Sequence, residues 1–257
     1  NIKKFKKTFA FFKIICYNVK VYLYLWLQIP ERGAASLQSK SAVILIPKDA
    51  VRTGLARPLL LQHVMGAPVL AWLTNALAQQ GVERFFLACQ DRFLNEARVC
   101  FPDGCALTVC VDREAANLLN AFLFAAGEGE EQVLIITGPC IFLPPERNVT
   151  DVPRAACACK VQRSELMAFF EETDFSFSQF LLSRGTVCTD QDGFYTISTK
   201  EQLHGWAERI RRAHLQRLAR QGVEIWDYNH CYVDPGVRIG VGTVLMPGSI
   251  LRGRTVV

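Results

Sequence analysis

The stretch from Ala42 to Pro58 reads AVILIPKDAVRTGLARP. Its opening, Ala42 to Ile46, is an unbroken apolar run of strand length, the pattern of a strand buried on both faces. A loop follows: Pro47, Lys48, Asp49, Ala50 and Val51, with no glycine before Gly54. In a sheet wrapped by helices, ligands bind at the carboxyl ends of the strands. Loops that cradle phosphates there need glycines, because close backbone approach tolerates no Cβ. The stretch therefore predicts an α/β domain with a phosphate-loop position that lacks its glycines.

Reading outward, strands and helices alternate. Val69, Trp72, Leu73, Ala76 and Leu77 follow helical spacing and predict a helix from Pro68 to Gln80, with Pro68 in its first turn and Gly81 as its stop. RFFLAC at Arg84 to Cys89, Leu107 to Val111 and Gln132 to Thr137 read as further strands, and Asn117 to Ala126 as a helix. This order predicts a parallel sheet with helices on both faces, a Rossmann-like arrangement. It places the 46–54 loop and the turn at Gly138 where ligand chemistry is expected. A helix from Lys200 to Gln221 follows, capped by Thr199 with Gln202 completing a capping box. Leu203, Trp206, Ile210, Ala213 and Leu218 form its apolar stripe. Arg209, Arg211, Arg212, Arg217 and Arg220 lie mostly off that stripe and are expected on a solvated or interdomain face.

The tail changes period. Val233, Ile239, Leu245, Leu251 and Val257 recur every six residues, with Gly and Pro at turn positions between them. That period is the mark of a parallel β-helix, whose rungs need neighbours to bury their faces. The expected organisation is a basic, apolar head (1–40), a sheet domain (41–199), a linker helix (200–222) and the first rungs of a β-helix (223–257).

The net charge of +5 is concentrated in the first 20 residues and in the helix around Arg209 to Arg220, so it argues for no nucleic-acid partner. The head has an apolar run from Thr8 to Ile29, but Lys13, Asn18 and Lys20 interrupt it, and a lysine at mid-bilayer costs roughly 3 kcal/mol. An extraneous extension is expected there rather than a membrane anchor. Ten cysteines without a C-x-x-C pair read as buried reduced thiols of a cytoplasmic protein rather than as zinc ligands. His63, His204, His214 and His230 stand near no recognisable nucleophile motif and are assigned core or surface roles.

A sheet of this order, a long arginine-bearing helix and then hexapeptide repeats resemble the bacterial bifunctional family of N-acetylglucosamine-1-phosphate uridylyltransferases and glucosamine-1-phosphate acetyltransferases. The resemblance covers Ala42 to about Leu143 and Gly193 to Val257, and is closest in QGVEIWDYNHCYVDPGVRIGVGTVLMPGSIL. It implies a nucleotidyltransferase domain joined to a left-handed parallel β-helix, with a homotrimer formed through that helix in the full-length parent. It implies UTP and N-acetylglucosamine 1-phosphate as substrates and magnesium as the cofactor. Carried over position by position, nucleotide-binding roles fall on Leu45, Lys48, Arg52 and Gly138, with Arg52 as the catalytic candidate.

The chain departs from the family pattern at the active site. The two loop glycines are Lys48 and Ala50, and the family lysine is Leu59, while Arg52, Pro58 and VMGAPVL at Val64 to Leu70 are kept. The aspartate that binds metal falls at Pro139, and the asparagine that shares it at Ser198, so no metal ligand is assigned. The uracil-reading motif is absent from Asp112 to Ala126, and the segment between Pro145 and Ala158 is too short for the sugar-binding hairpins. The expectation is a degenerate, weakly active or non-catalytic scaffold, with the family's acetyl-transfer residues lying beyond Val257. The alternatives are a working sugar-phosphate nucleotidyltransferase and a membrane-associated interaction module.

Overall fold

The computed structural model describes residues 39–125, 132–143, 157–170 and 177–257. The anchor-or-extension question for the head and the short segment after Pro145 lie outside the described residues. Among those described, no helix is long and apolar enough to cross a membrane.

In chain order the sheet domain runs β1 (Ser41–Leu45), α1 (Ala50–Thr53), the hairpin strands β2 (His63–Val64) and β3 (Ala67–Pro68), α2 (Val69–Gln79), β4 (Arg84–Cys89), α3 (Leu94–Arg98), β5 (Ala106–Val111), α4 (Ala115–Phe124), β6 (Gln132–Ile136), β7 (Cys140–Phe142), β8 (Ala158–Gln162), α5 (Arg163–Phe169), α6 (Phe177–Arg184), β9 (Thr186–Val187) and β10 (Phe194–Thr196). The central sheet has the order β5-β4-β1-β6-β8-β9. Its first four strands are parallel, with Ala42 opposite both Phe85 and Leu134.

Both faces of β1 are apolar because both are covered. Ala42 and Ile44 pack with Phe85, Leu87, Leu134 and Ile136 under Val69, Leu70, Leu73 and Leu77 of α2. Val43 and Leu45 point the other way, with Phe86, Ala88, Val133 and Ile135, under Leu119, Phe122 and Leu123 of α4 and Leu166 of α5. The expected helices on both faces are thus present. The sheet is not wholly parallel, however: β8 runs antiparallel to β6, and β9 antiparallel to β8. The cause is local. The N–H groups of Thr137 and Gly138 both donate to the main-chain oxygen of Cys157, at 2.9 and 3.3 Å. The chain therefore enters β8 beside the end at which it leaves β6, and the pair must be antiparallel.

The long helix α7 spans Lys200–Arg220. Thr199 Oγ1 accepts from the Gln202 N–H at 3.2 Å. Gln202 Oε1 reaches back to the N–H of Ser198 rather than Thr199, at 2.8 Å, so the box closes one residue earlier than expected. Leu203, Ile210, Leu215 and Leu218 are buried. Of the helix arginines, Arg212 and Arg220 are exposed, whereas Arg211 faces the tail. Arg211 is buried and donates to the main-chain oxygens of Tyr228 and Cys231 while pairing with Glu208. The Arg209 guanidinium lies over the Trp206 ring, 4.3 Å from its centroid. These charges are tolerated under cover because each has a partner or a ring face.

The tail contributes β11 (Glu224–Ile225), β12 (Tyr232–Val233), β13 (Val244–Leu245) and β14 (Ile250–Leu251). All its pairings are parallel. Tyr232 lies opposite Ile250 and Arg238 opposite Val256, in each case three hexads on. Glu224 lies opposite Val244, a slightly longer interval that accommodates the loop around Asp227. Val233 and Leu245 are buried with Leu215, Leu218 and Cys231, and Ile239 and Leu251 pack against them. Val257, the fifth member of the series, is 51% exposed.

The tail docks on the sheet domain at two places besides α7. Asp103 accepts from Arg238 Nη2 at 2.7 Å and from Arg254 Nη1 at 2.8 Å. At the β2–β3 turn, where Met65 takes a left-handed φ of 60°, Gly66 lies against Asp234.

Candidate functional site

The carboxyl ends of β1, β4, β5 and β6 bring the loop residues together. Leu45 closes β1 opposite Ala88, and its side chain is buried in the core, so only its main chain faces the loop. After Ile46 and Pro47, the Lys48 ammonium lies 3.3 Å from Asp112 Oδ2, at the end of β5. Asp49 is buried at the start of α1, and its carboxylate accepts from the N–H of Leu59 at 3.3 Å. Thr53 Oγ1 donates to the main-chain oxygen of Asp49 at 2.9 Å. The loop is therefore folded as a helical turn held by the Asp49 carboxylate, with side chains at Lys48 and Ala50 where the family pattern has glycines. Leu59, at the family's lysine position, is fully buried with Leu60 and Leu61. Arg52 belongs to α1; its side chain lies outside the described part of the structure.

Gly138 has a packing reason to be glycine. A Cβ there would lie 2.6 Å from Cys157 Sγ, so this turn admits no side chain. Next to it, Pro139 is buried, and its oxygen accepts from the N–H of Ile197 at 2.9 Å. The antiparallel pair β7–β10, with Cys140 opposite Thr196, extends this contact. The structure thus brings Pro139 beside Ile197 and Ser198, although they are far apart in sequence. Pro139 and Ser198 are the positions where the resemblance expects magnesium ligands. The residues do not fit the ion. Magnesium calls for carboxylate oxygens in near-octahedral array, whereas Pro139 has no donor and Ser198 offers one neutral, exposed hydroxyl. Among the described residues, no group of three or more His, Cys, Asp or Glu is placed to hold a metal.

Burial sets the state of the described titratable groups near the strand ends. Burial raises the Asp112 carboxyl above its usual range, and Lys48 opposes that shift. The Cys89 thiol is pushed up to about 12 by burial, then by Asp112 and Asp91; Cys110 rises to about 12 by burial, then by Cys89 and Asp112. All nine described cysteines are free, and only Cys105 is not buried. Neutral thiols of this kind are inert. His63 and His204 are exposed, and His230 sits 2.5 Å from Asp227. His214 is buried against the Trp72 ring and accepts from Arg217 Nη2 at 2.9 Å. Burial, aided by the Arg217 charge, lowers its pKa to about 3. The sequence reading missed Asp112 and Asp49. Asp112 was findable: it directly follows the apolar strand ending CV, at the end where sheets of this kind place ligands.

No protein-family model matches the chain. Curated relatives match over short stretches. The chain is 38% identical over 69 residues to the bifunctional protein GlmU of Thermosipho melanesiensis, covering 26% of this chain and 15% of that one. It is 42% identical over 50 residues to GlmU of Levilactobacillus brevis, covering 20% and 10%, and 30% identical over 88 residues to GlmU of Geobacillus sp. (strain WCH70), covering 31% and 18%. The matched stretches are thus less than a fifth of those relatives' length. Among solved structures, the inositol-1-phosphate CTP transferase from T. maritima is 12% identical, with a TM-score of 0.46 over 69% of this chain and 98% of that one. HddC from Yersinia pseudotuberculosis is 14% identical, with a TM-score of 0.44 over 66% and 99%. Likenesses at that level add nothing to the reading of the site.

Proposed function

We propose, from the premise that this chain is a divergent GlmU-like protein, that its sheet domain keeps the scaffold of a sugar-nucleotide nucleotidyltransferase without the magnesium chemistry. The observation that carries this reading is the 2.9 Å hydrogen bond from Ile197 to Pro139. It sets Pro139 against the residue that precedes Ser198, and the two positions where the family has metal ligands are a proline and a serine. Phosphoryl-type transfer depends on charge neutralisation by the ion and by cationic side chains. Here neither ligand position carries a carboxylate, Lys48 is paired with Asp112, and the lysine position is a buried leucine. The domain then serves as a folded platform for the tail, with any bound nucleotide or sugar phosphate held without turnover.

The tail is read as the first rungs of a left-handed parallel β-helix. Supporting this are the parallel pairs three hexads apart and the inward Val233 and Leu245. Its outward residues include Val241, Met246, Ile250 and Val256, all exposed. Such a surface favours assembly, and a homotrimer is the arrangement expected of the full-length parent. Buried neutral thiols fit a reducing, cytoplasmic location.

The test is pyrophosphate release from UTP and N-acetylglucosamine 1-phosphate with magnesium. No release above the uncatalysed background is expected. Turnover near about one per second, an ordinary enzymatic rate, would overturn the scaffold reading.

A further inference from the structure

The ion pair between Lys48 and Asp112 spans the sheet edge. Lys48 follows β1 and Asp112 follows β5, and β4 lies between those strands. The pair therefore arches over the carboxyl end of β4, at Cys89. Asp112 is mostly enclosed and Lys48 about half exposed. The charge of Asp112 reaches its surroundings: it adds to the burial that keeps the thiols of Cys89 and Cys110 protonated. Arg57 is matched in the same way, 2.7 Å from Glu96. A phosphate arriving at these strand ends meets a carboxylate already seated on the lysine.

We propose that Asp112 is a specificity-determining residue: by holding Lys48 it turns polyphosphate ligands away from the carboxyl end of the sheet. The inference rests on reading this end as a former nucleotide site. The physics is that of selection by repulsion. A binding site rejects a ligand as effectively by an unfavourable charge as by a missing contact, and like charges brought together at an interface are strongly unfavourable. Asp112 acts twice, by occupying the cation and by opposing the anion. Its burial sharpens both effects, because screening is weaker away from water.

The test measures binding of inorganic tripolyphosphate and of UTP to the full chain by calorimetry, without added metal. The wild-type chain is expected to bind both only weakly. Asp112→Asn keeps the side-chain shape and removes the charge; affinity should tighten by about tenfold or more. Adding Lys48→Met to Asp112→Asn should remove that gain. Glu114→Gln removes a neighbouring charge that does not touch Lys48 and should give no gain. Asp112→Ser repeats the measurement with a smaller side chain, and near-ultraviolet circular dichroism confirms that each variant is folded. Wild-type affinity equal to that of Asp112→Asn would overturn the proposal. So would a gain that survives Lys48→Met or that Glu114→Gln reproduces. Failure of the scaffold reading shows separately, as turnover by the wild-type chain.

Discussion

Gly66 and Asp234 meet so closely that a Cβ on Gly66 would lie 2.4 Å from Asp234 Oδ1. The same carboxylate accepts from the N–H of Gly253 at 2.8 Å through Oδ2, so it has little freedom to withdraw. Gly66→Ala should therefore destabilise the protein by about 1–3 kcal/mol, the usual cost of overpacking. Asp234→Ala should remove the clash while losing the Gly253 bond. A double-mutant cycle by urea denaturation reads the coupling. Strictly additive effects would contradict the contact.

Restoring one metal ligand should not restore chemistry. Pro139→Asp places a carboxylate in a buried turn whose partner position, Ser198, remains a serine. The expected outcome is no magnesium-dependent pyrophosphate release, together with a loss of stability of about 1–3 kcal/mol from a buried, unpaired charge. The pyrophosphate assay and a thermal melt measure both.

His214 should make stability fall with acid. Its pKa is about 3 in the folded protein, against an ordinary value of 6.5. The unfolded chain then takes up a proton that the folded one refuses. The contribution is fully present above pH 6.5 and is lost progressively as pH falls toward about 3, below which both states are protonated. The slope approaches about 1.4 kcal/mol per pH unit for one proton. His214→Asn should flatten the fall between pH 7 and pH 5 in urea midpoints. An unchanged slope would show that other groups carry it.

The thiols should resist alkylation. Burial pushes Cys89, Cys100, Cys110 and Cys188 up to about 12. With iodoacetamide at pH 8, mass spectrometry should find Cys105 modified first among the nine described cysteines, since it alone is not buried. Rapid labelling of Cys89 in the folded protein would contradict this.

Strands β1 and β4 and helices α2 and α7 were legible because burial on both faces writes an apolar run and burial on one face writes a helical stripe. Strand direction is another matter. The run around Val161 is compatible with either direction, and the antiparallel choice came from Thr137 and Gly138 bonding to Cys157. The β7–β10 pair is too short to carry a period. The partners of Arg211 and Asp49 could not be read, because Tyr228 and Leu59 are not their sequence neighbours. At the site, the sequence supplied the identities of Pro139 and Ser198; their adjacency emerged only from the fold.

One carboxylate, Asp103, grips both Arg238 and Arg254, which belong to successive turns of the tail. With the Gly66–Asp234 contact and the packing on α7, the tail rests on the sheet domain at three places. A lever held at one point pivots, whereas one held at three transmits force. Load applied to the outer turns would travel into the sheet domain rather than be lost in a swing about α7, so an assembly built on the tail would carry its sheet domains in fixed orientation.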